Sequence, residues 1–421
     1  MIGIFHKMSY ICSRNIACTM PEFRESIRIK NVGPLRDIDL SDIRPLTVFI
    51  GESASGKSTL MKAIALFRFI FKKAAIRSYL KNAKISRSPF KMQFLTWAKN
   101  CGLDTYLKED SEIVYSVTVD DQVYTISSTA KKLDCNLSIP NEHLTFSKIS
   151  FIPESRNTIP MWLQNGSKGK ADRPLGLYFQ DAFQDFLAAV DAVSNMDLEY
   201  VGMRFSVQKT AAGKKYMISP HTDSNIQGDP YSVELRHSSS GIQTSTPLSL
   251  ITKYFSKYFS FEDAFKRSVM EYLFDINRLK LFQPGIELTD LAKFVHIHVE
   301  EPELSLYPPA QCALIRSLVS DCFINNSPKW KMSLMLATHS PYIINYLNVL
   351  IRASYCRNPN DPRAYIDPEN IGVYKIVRGG LSPLKGWSNT SGQVVINTLD
   401  LSEPMDEIYQ KYVSMDGRPV K

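Results

Sequence analysis

The sequence predicts an α/β fold: a mixed, largely parallel β-sheet core, an antiparallel β subdomain and an inserted helical subdomain. Three observations predict it. After Gly285 the pattern alternates between a strand at 294–299, a helix at 308–325, a strand at 333–337 and a helix at 341–350, which implies a parallel sheet with crossover helices. A strand–loop–helix unit surrounds Gly51–Thr59, which reads Gly-Glu-Ser-Ala-Ser-Gly-Lys-Ser-Thr. Several short runs alternate polar and apolar residues, as half-buried antiparallel strands do.

Taken in order, residues 26–31 alternate in this way, Val32-Gly-Pro-Leu35 makes a turn, and 37–40 returns as a second short strand. The apolar run Leu46–Ile50 is a buried strand. Residues 60–100 read as helices broken near Ser88-Pro89. Segments 112–118 and 122–128 form a hairpin around Asp120-Asp121, and 148–152 is a further strand ending in Pro153-Glu-Ser-Arg156. Residues 175–200 read as helical, 202–208, 215–219 and 231–236 as strands, and 240–284 as mainly helical. A strand at 371–377 and a helix near 405–413 close the pattern. This divides the chain into an N-terminal extension (1–22), a core (23–165 and 286–421) and an insertion (166–285). Internal repeats, low-complexity tracts and long heptad runs are not seen.

Composition narrows the class. With 421 residues, 44% hydrophobic and 22% charged, the chain has the make-up of a globular protein with one large or two ordinary domains. The stretch Ala63–Phe71 is interrupted by Arg68 and is too short to span a bilayer, and no secretory signal is evident. Seven scattered cysteines with no CxxC pair argue against zinc and for reduced thiols, hence a cytoplasmic protein with no membrane partner. The net charge of +8 is unevenly spread: Met61–Leu103 holds ten Lys/Arg and no acid, with Phe67, Phe69, Phe71, Tyr79, Phe90, Phe94 and Trp97 interleaved. That stretch is either a surface for nucleic acid or an acidic protein, or a solvated helical face whose aromatics lie in the core.

The chemistry begins at Gly51–Thr59, a GxxxxGKS phosphate loop in its strand–loop–helix context. Main-chain N–H groups of Gly51, Glu52, Ser53, Ala54, Ser55 and Gly56 would wrap phosphates, assisted by the helix N-terminus that includes Thr59. Lys57 would reach the β- and γ-phosphates and Ser58 would ligate Mg²⁺. Ala54 stands where Gly or Asn is common; a positive φ there would cost about 1 kcal/mol. Far downstream, the strand Phe294–Val299 delivers Glu300 and Glu301 at its C-terminal end, where ligands sit in α/β sheets. Glu300 suits a contact through water to Mg²⁺, and Glu301 suits polarising an attacking water. Read alone, the pair would be an acidic loop ending a strand. His339 ends the next strand and could sense a γ-phosphate. Arg236-His-Ser-Ser-Ser240-Gly241-Ile-Gln243 opens a helix and offers hydroxyls and N–H groups to an anion, though serines there also suit helix capping.

These pieces, in this order, resemble the ABC-type ATPases, in the branch shared by SMC, RecF and the OLD-like defence proteins. Asn31–Leu40 is similar to the family's opening strand pair, and Gly51–Thr59 to its Walker A. Glu300-Glu301-Pro-Glu-Leu-Ser-Leu-Tyr-Pro308 is similar to its Walker B and D-loop, and Thr338–Pro341 to its switch-histidine segment. Ser240 and Gly241 stand in the places of the signature Ser and Gly, while Ile242 replaces a signature Gly. No Gln loop is obvious; Pro153–Arg156 lies where its equivalent belongs, and Gln164 is too far on. Within the branch the chain looks most like the ATPases of PARIS anti-phage systems. The resemblance implies bound ATP and Mg²⁺, catalytic roles for Lys57, Glu301 and His339, slow hydrolysis, and a homo-oligomer in which Ser240 and Gly241 of one copy close the ATP of another. It also implies a Toprim-class effector nuclease as partner and a phage protein as trigger; an acidic DNA mimic would suit the basic stretch. Direct DNA binding by a RecF-like protein is the alternative, and a transporter's nucleotide-binding subunit a further one. A nuclease in this chain is not expected, because no HNH pattern is present and the stretch after His339 is too short for a Toprim domain.

Overall fold

In the computed structural model, residues 21–85, 91–162, 177–211, 213–221, 231–270, 273–274, 279–356, 364–387 and 392–415 are described. The expected break at Ser88-Pro89, Gln164 and nearly all of the N-terminal extension lie outside them. The centre is a six-stranded sheet. Five of its strands run parallel, in the order β14 (Ile371–Val377), β3 (Leu46–Ile50), β13 (Lys331–Thr338), β12 (Ala292–Glu300) and β7 (Thr145–Ile152), with β15 (Gly380–Pro383) antiparallel at one edge. All five residues of β3 and seven of the last eight of β12 are buried, as sequences covered on both sheet faces must be.

A second, antiparallel sheet of five strands has the order β2 (Leu35–Leu40), β1 (Phe23–Val32), β4 (Leu107–Val119), β5 (Gln122–Thr129), β6 (Lys132–Asp134). Its strands alternate: Ile27, Ile29, Ile113, Tyr115 and Val117 are buried, while Arg28 and Lys30 face water. Between the two sheets runs α1 (Lys57–Asn82), buried over most of its circumference. Phe67 meets Tyr115 of the antiparallel sheet with ring centroids 6.1 Å apart. Arg68 binds Glu25 of β1 in a two-pronged ion pair of 2.6 and 2.8 Å, and Tyr115 donates its hydroxyl proton to the same carboxylate. Arg68 also reaches His298 of β12, Nη1 to Nε2 3.0 Å. A guanidinium can only donate, so Nε2 accepts and Nδ1–H faces the carbonyl of Ser150 at 3.2 Å. Burial and the Arg68 charge hold His298 neutral, well below the usual histidine range.

A third sheet, β11 (Val233–Glu234), β10 (Gly213–Pro220), β9 (Met203–Thr210), β8 (Asn195–Leu198), is antiparallel, and β16 (Lys385–Trp387) pairs with β17 (Val394–Ile396). The helix expected over 175–200 stops at Ala192, and 195–198 pairs instead with β9. The run expected as one helix from 308 is α-helical to Val319 and continues as a π-turn through Ile324. Helical segments expected over 240–284 resolve into Ser240–Lys257, Phe261–Phe265 and a π-turn at Lys266–Met270. Among the described residues no helix is long and apolar enough to cross a membrane.

Candidate functional site

Four neighbouring parallel strands end at one place. Register aligns Ile50 of β3 with Thr338 of β13, Ala337 with Glu300 of β12, and Val299 with Ile152 of β7. The segments leaving these strands are therefore neighbours: the phosphate loop, His339, Glu301 and Pro153–Arg156. Because β13 lies between β3 and β12, His339 emerges between the loop and the acidic pair. This is the C-terminal edge of the sheet, the position at which α/β folds hold ligands.

The phosphate loop is built on special backbone geometry. Gly56 has φ +107°, and a Cβ there would come within 2.6 Å of a Leu35 methyl, so only glycine fits. Ala54 sits at φ +62°, which for a residue with a Cβ costs about 1 kcal/mol. The Lys57 ammonium turns back into the loop and donates to the carbonyls of Gly51 (2.9 Å) and Glu52 (2.8 Å). Burial lowers its pKa, and Glu301 and Glu303 oppose that shift. Lys57 Nζ also lies 3.5 Å from His339 Nδ1, and His339 Nε2 lies 3.7 Å from Glu301 Oε1. Since the ammonium can only donate, Nδ1 is the accepting nitrogen and the Nε2 proton points at Glu301. Residues almost 300 positions apart thus form one cluster.

Glu300, expected near the metal, is only 2% exposed, and both of its oxygens are buried without a donor at bonding geometry. Ser58 and Glu154 lie beside it, and Lys62 Nζ is 3.9 Å away. Burial first, then the adjoining Glu154 carboxyl, raise the Glu300 pKa to about 8, and the same neighbourhood holds Glu154 low. A doubly orphaned buried carboxylate beside a serine hydroxyl fits a hard cation such as Mg²⁺. Without that cation, Glu300 stays protonated in the native state while the unfolded chain ionises near 4.5. The native state then binds the extra proton, so stability falls as pH rises from about 4.5 to 8. Denaturant titrations of the nucleotide-free and Mg²⁺-free protein are expected to show this fall, and Glu300→Gln to flatten it. An equal slope in the variant would contradict it.

Sequence reasoning overlooked two residues. Glu303 accepts the main-chain N–H of His339 at 2.6 Å and so fixes the turn that carries the imidazole. Arg156, noted only as part of a segment, is fully buried beneath the acidic turn. An acid after Glu300-Glu301-Pro, and an arginine four residues past an apolar strand, were the available signals.

Ser240 and Gly241 are not drawn into this cluster by any contact with Lys57 or Glu301; they open the helix Ser240–Lys257, with Ser240 exposed and Gly241 buried. Ser239 and Ser240 are exposed, and no side chain caps the helix N-terminus. A Cβ on Gly241 would stand 2.6 Å from the Ser305 carbonyl, so this turn packs against the D-loop-like segment of its own chain. In the basic stretch, the aromatics Phe67, Phe71, Tyr79 and Phe94 are buried, Arg68 is internal and Lys62 faces Glu300, while Arg77, Lys81, Lys84, Lys91 and Lys99 are exposed. Arg87 and Phe90 lie outside the described residues.

Residues 26–158 match the family described as an AAA domain. The matched segment contains the phosphate loop, most of the five-stranded antiparallel sheet and Arg156. No curated protein matches the sequence. Among solved structures, the chain is similar to an SMC head bound to the C-terminal winged-helix domain of ScpA (9% identity, 86% of this chain and 97% of that one, TM-score 0.35). It is also similar to a dimeric ATP-binding cassette in a post-hydrolysis state with ADP and phosphate (12% identity, 86% and 100%, TM-score 0.28). A third likeness is to cbiO1 from Clostridium perfringens, part of the ABC transporter complex cbiONQ (9% identity, 91% and 93%, TM-score 0.30).

Proposed function

We propose that this chain is a Mg²⁺-dependent ABC-type ATPase that pairs two copies around ATP, serving as sensor and scaffold in anti-phage defence in the manner of AriA in PARIS. The observation that carries the ATPase reading is the convergence of Lys57, His339, Glu301 and the orphaned Glu300 at one sheet edge. Lys57 exchanges its loop carbonyls for the β- and γ-phosphates. Glu300, with Ser58, would hold a Mg²⁺ ion, which when bound would neutralise phosphate charge. Glu301 orients the attacking water, and His339 contacts the γ-phosphate.

Pairing is supported by the uncapped N-terminus at Ser240 and Gly241. Its free N–H groups and dipole suit the γ-phosphate of a second copy's ATP, which needs donors on both sides. Hydrolysis is slow, because ATP serves as a latch. The defence role rests on the likeness of the opening strand pair and the phosphate loop. It brings with it a Toprim-class nuclease partner and a phage protein as trigger.

Light scattering of Glu301→Gln tests the pairing: MgATP should double the mass, and adding Ser240→Arg should abolish doubling while ATP still binds. A mass that ignores MgATP would contradict the assignment of Ser240 and Gly241. A second reading, a RecF- or SMC-like DNA-maintenance ATPase, is favoured by the five exposed cations between Arg77 and Lys99. Salt-dependent retention of duplex DNA by the purified chain would select it; recovery of a Toprim-class nuclease with the ATP-bound protein would select the defence role.

A further inference from the structure

Arg156 has no exposed surface, and its guanidinium is spent on main-chain carbonyls from three segments. Nε donates to Thr244 (3.1 Å), Nη1 to Pro153 (3.0 Å) and Glu300 (2.6 Å), and Nη2 to Glu301 (2.6 Å). None of these four acceptors is a carboxylate. The desolvated cation lies in the field of Glu303 and Glu301, yet its pKa still falls to about 10 because of burial. Such an ion is costly to bury, and its four hydrogen bonds offset that cost.

What it holds is the turn that bears Glu301. This residue adopts φ +45°, a left-handed conformation that L-residues seldom take. Its N–H is pinned to Ala337 of β13 at 2.8 Å, and its carbonyl is pinned by Arg156. The same guanidinium reaches the first turns of the Ser240–Lys257 helix through the Thr244 carbonyl. Thr244 makes a second link there, donating its hydroxyl proton toward Leu304 (2.9 Å) and Gly241 (3.0 Å) carbonyls. Close contact between Gly241 and the Ser305 carbonyl leaves no slack between the two elements.

We propose that Arg156 is a positioning residue: it holds Glu301 in its left-handed conformation and locks that turn to the N-terminus of the Ser240–Lys257 helix. The placement of the water-orienting carboxylate and the setting of the surface offered to a second copy then change together. This rests on the ATPase reading above. A planar fork serves four carbonyls in fixed directions, which a lysine ammonium cannot do.

Arg156→Lys is the test, read by MgATP affinity, kcat, thermal midpoint and amide exchange over 240–245 and 300–306. Affinity should stay within about threefold while kcat falls about tenfold or more, since misplacing a carboxylate costs rate and not phosphate binding. Exchange should quicken in both segments together. Thr244→Val, which keeps the carbonyl that Arg156 uses, should quicken both segments more mildly and covers the case in which Arg156→Lys does not fold. Unchanged kcat, exchange that quickens in one segment alone, or equal loss of affinity, rate and protection throughout the chain would overturn the assignment. A parent chain that binds no ATP would overturn the ATPase reading, and this inference with it.

Discussion

Glu301→Gln binds ATP as tightly as the parent and hydrolyses it about a hundredfold to a thousandfold more slowly, the expected effect of removing a water-orienting carboxylate. The geometry makes this substitution clean. Glu301 is positioned through its main chain, by its N–H to Ala337 and its carbonyl to Arg156, and neither bond uses the side chain. Glutamine keeps the shape and loses the charge that faces His339 Nε2. Trapped ATP should then accumulate in paired copies. Single-turnover assays with quenched-flow sampling separate binding from chemistry; a hydrolysis rate equal to the parent's would remove Glu301 from its assigned role.

Lys57→Ala is expected to weaken MgATP binding by about a hundredfold, close to 2.7 kcal/mol, as loss of a charge-assisted contact to phosphate would. Lys57 donates to Gly51 and Glu52 in the nucleotide-free loop, so alanine also leaves two carbonyls without their donor. The loop should lose rigidity locally while α1, packed between two sheets, keeps the fold. Equilibrium dialysis reads the affinity and thermal melting reads the fold. Retained affinity with an unchanged melting point would contradict the placement of Lys57 on the phosphates.

Much of this was legible in the sequence. The phosphate loop, the acidic pair and the histidine each sit at the end of an apolar run, and parallel strands bring such ends to one edge. The sequence left open whether Ala54 takes a left-handed φ, and the structure has it at +62°. The hidden parts are those whose partners lie far away in sequence. Arg156 is held by Thr244, Glu300 and Glu301, and no local pattern states that. The interleaved basic and aromatic stretch read equally as a binding surface or as a solvated helical face with core aromatics, because burial of Phe67, Phe71, Tyr79 and Phe94 depends on sheets distant in sequence. Arg68 is internal because Glu25 and Tyr115, on two different strands, meet it there. The strand at Asn195–Leu198 read as helix because its short run alternates too briefly to outweigh the helix before it; pairing with β9 decides its form.

The central claim is that the phosphate loop and the Glu300–Glu301 turn form one site for ATP with a divalent ion. Mn²⁺ binding followed by electron paramagnetic resonance, with ATP present and absent, tests it most directly. One Mn²⁺ per chain should bind tightly only with ATP, and both Lys57→Ala and Glu300→Ala should weaken it. Mn²⁺ and ATP that bind independently, or a site indifferent to Glu300→Ala, would contradict the account.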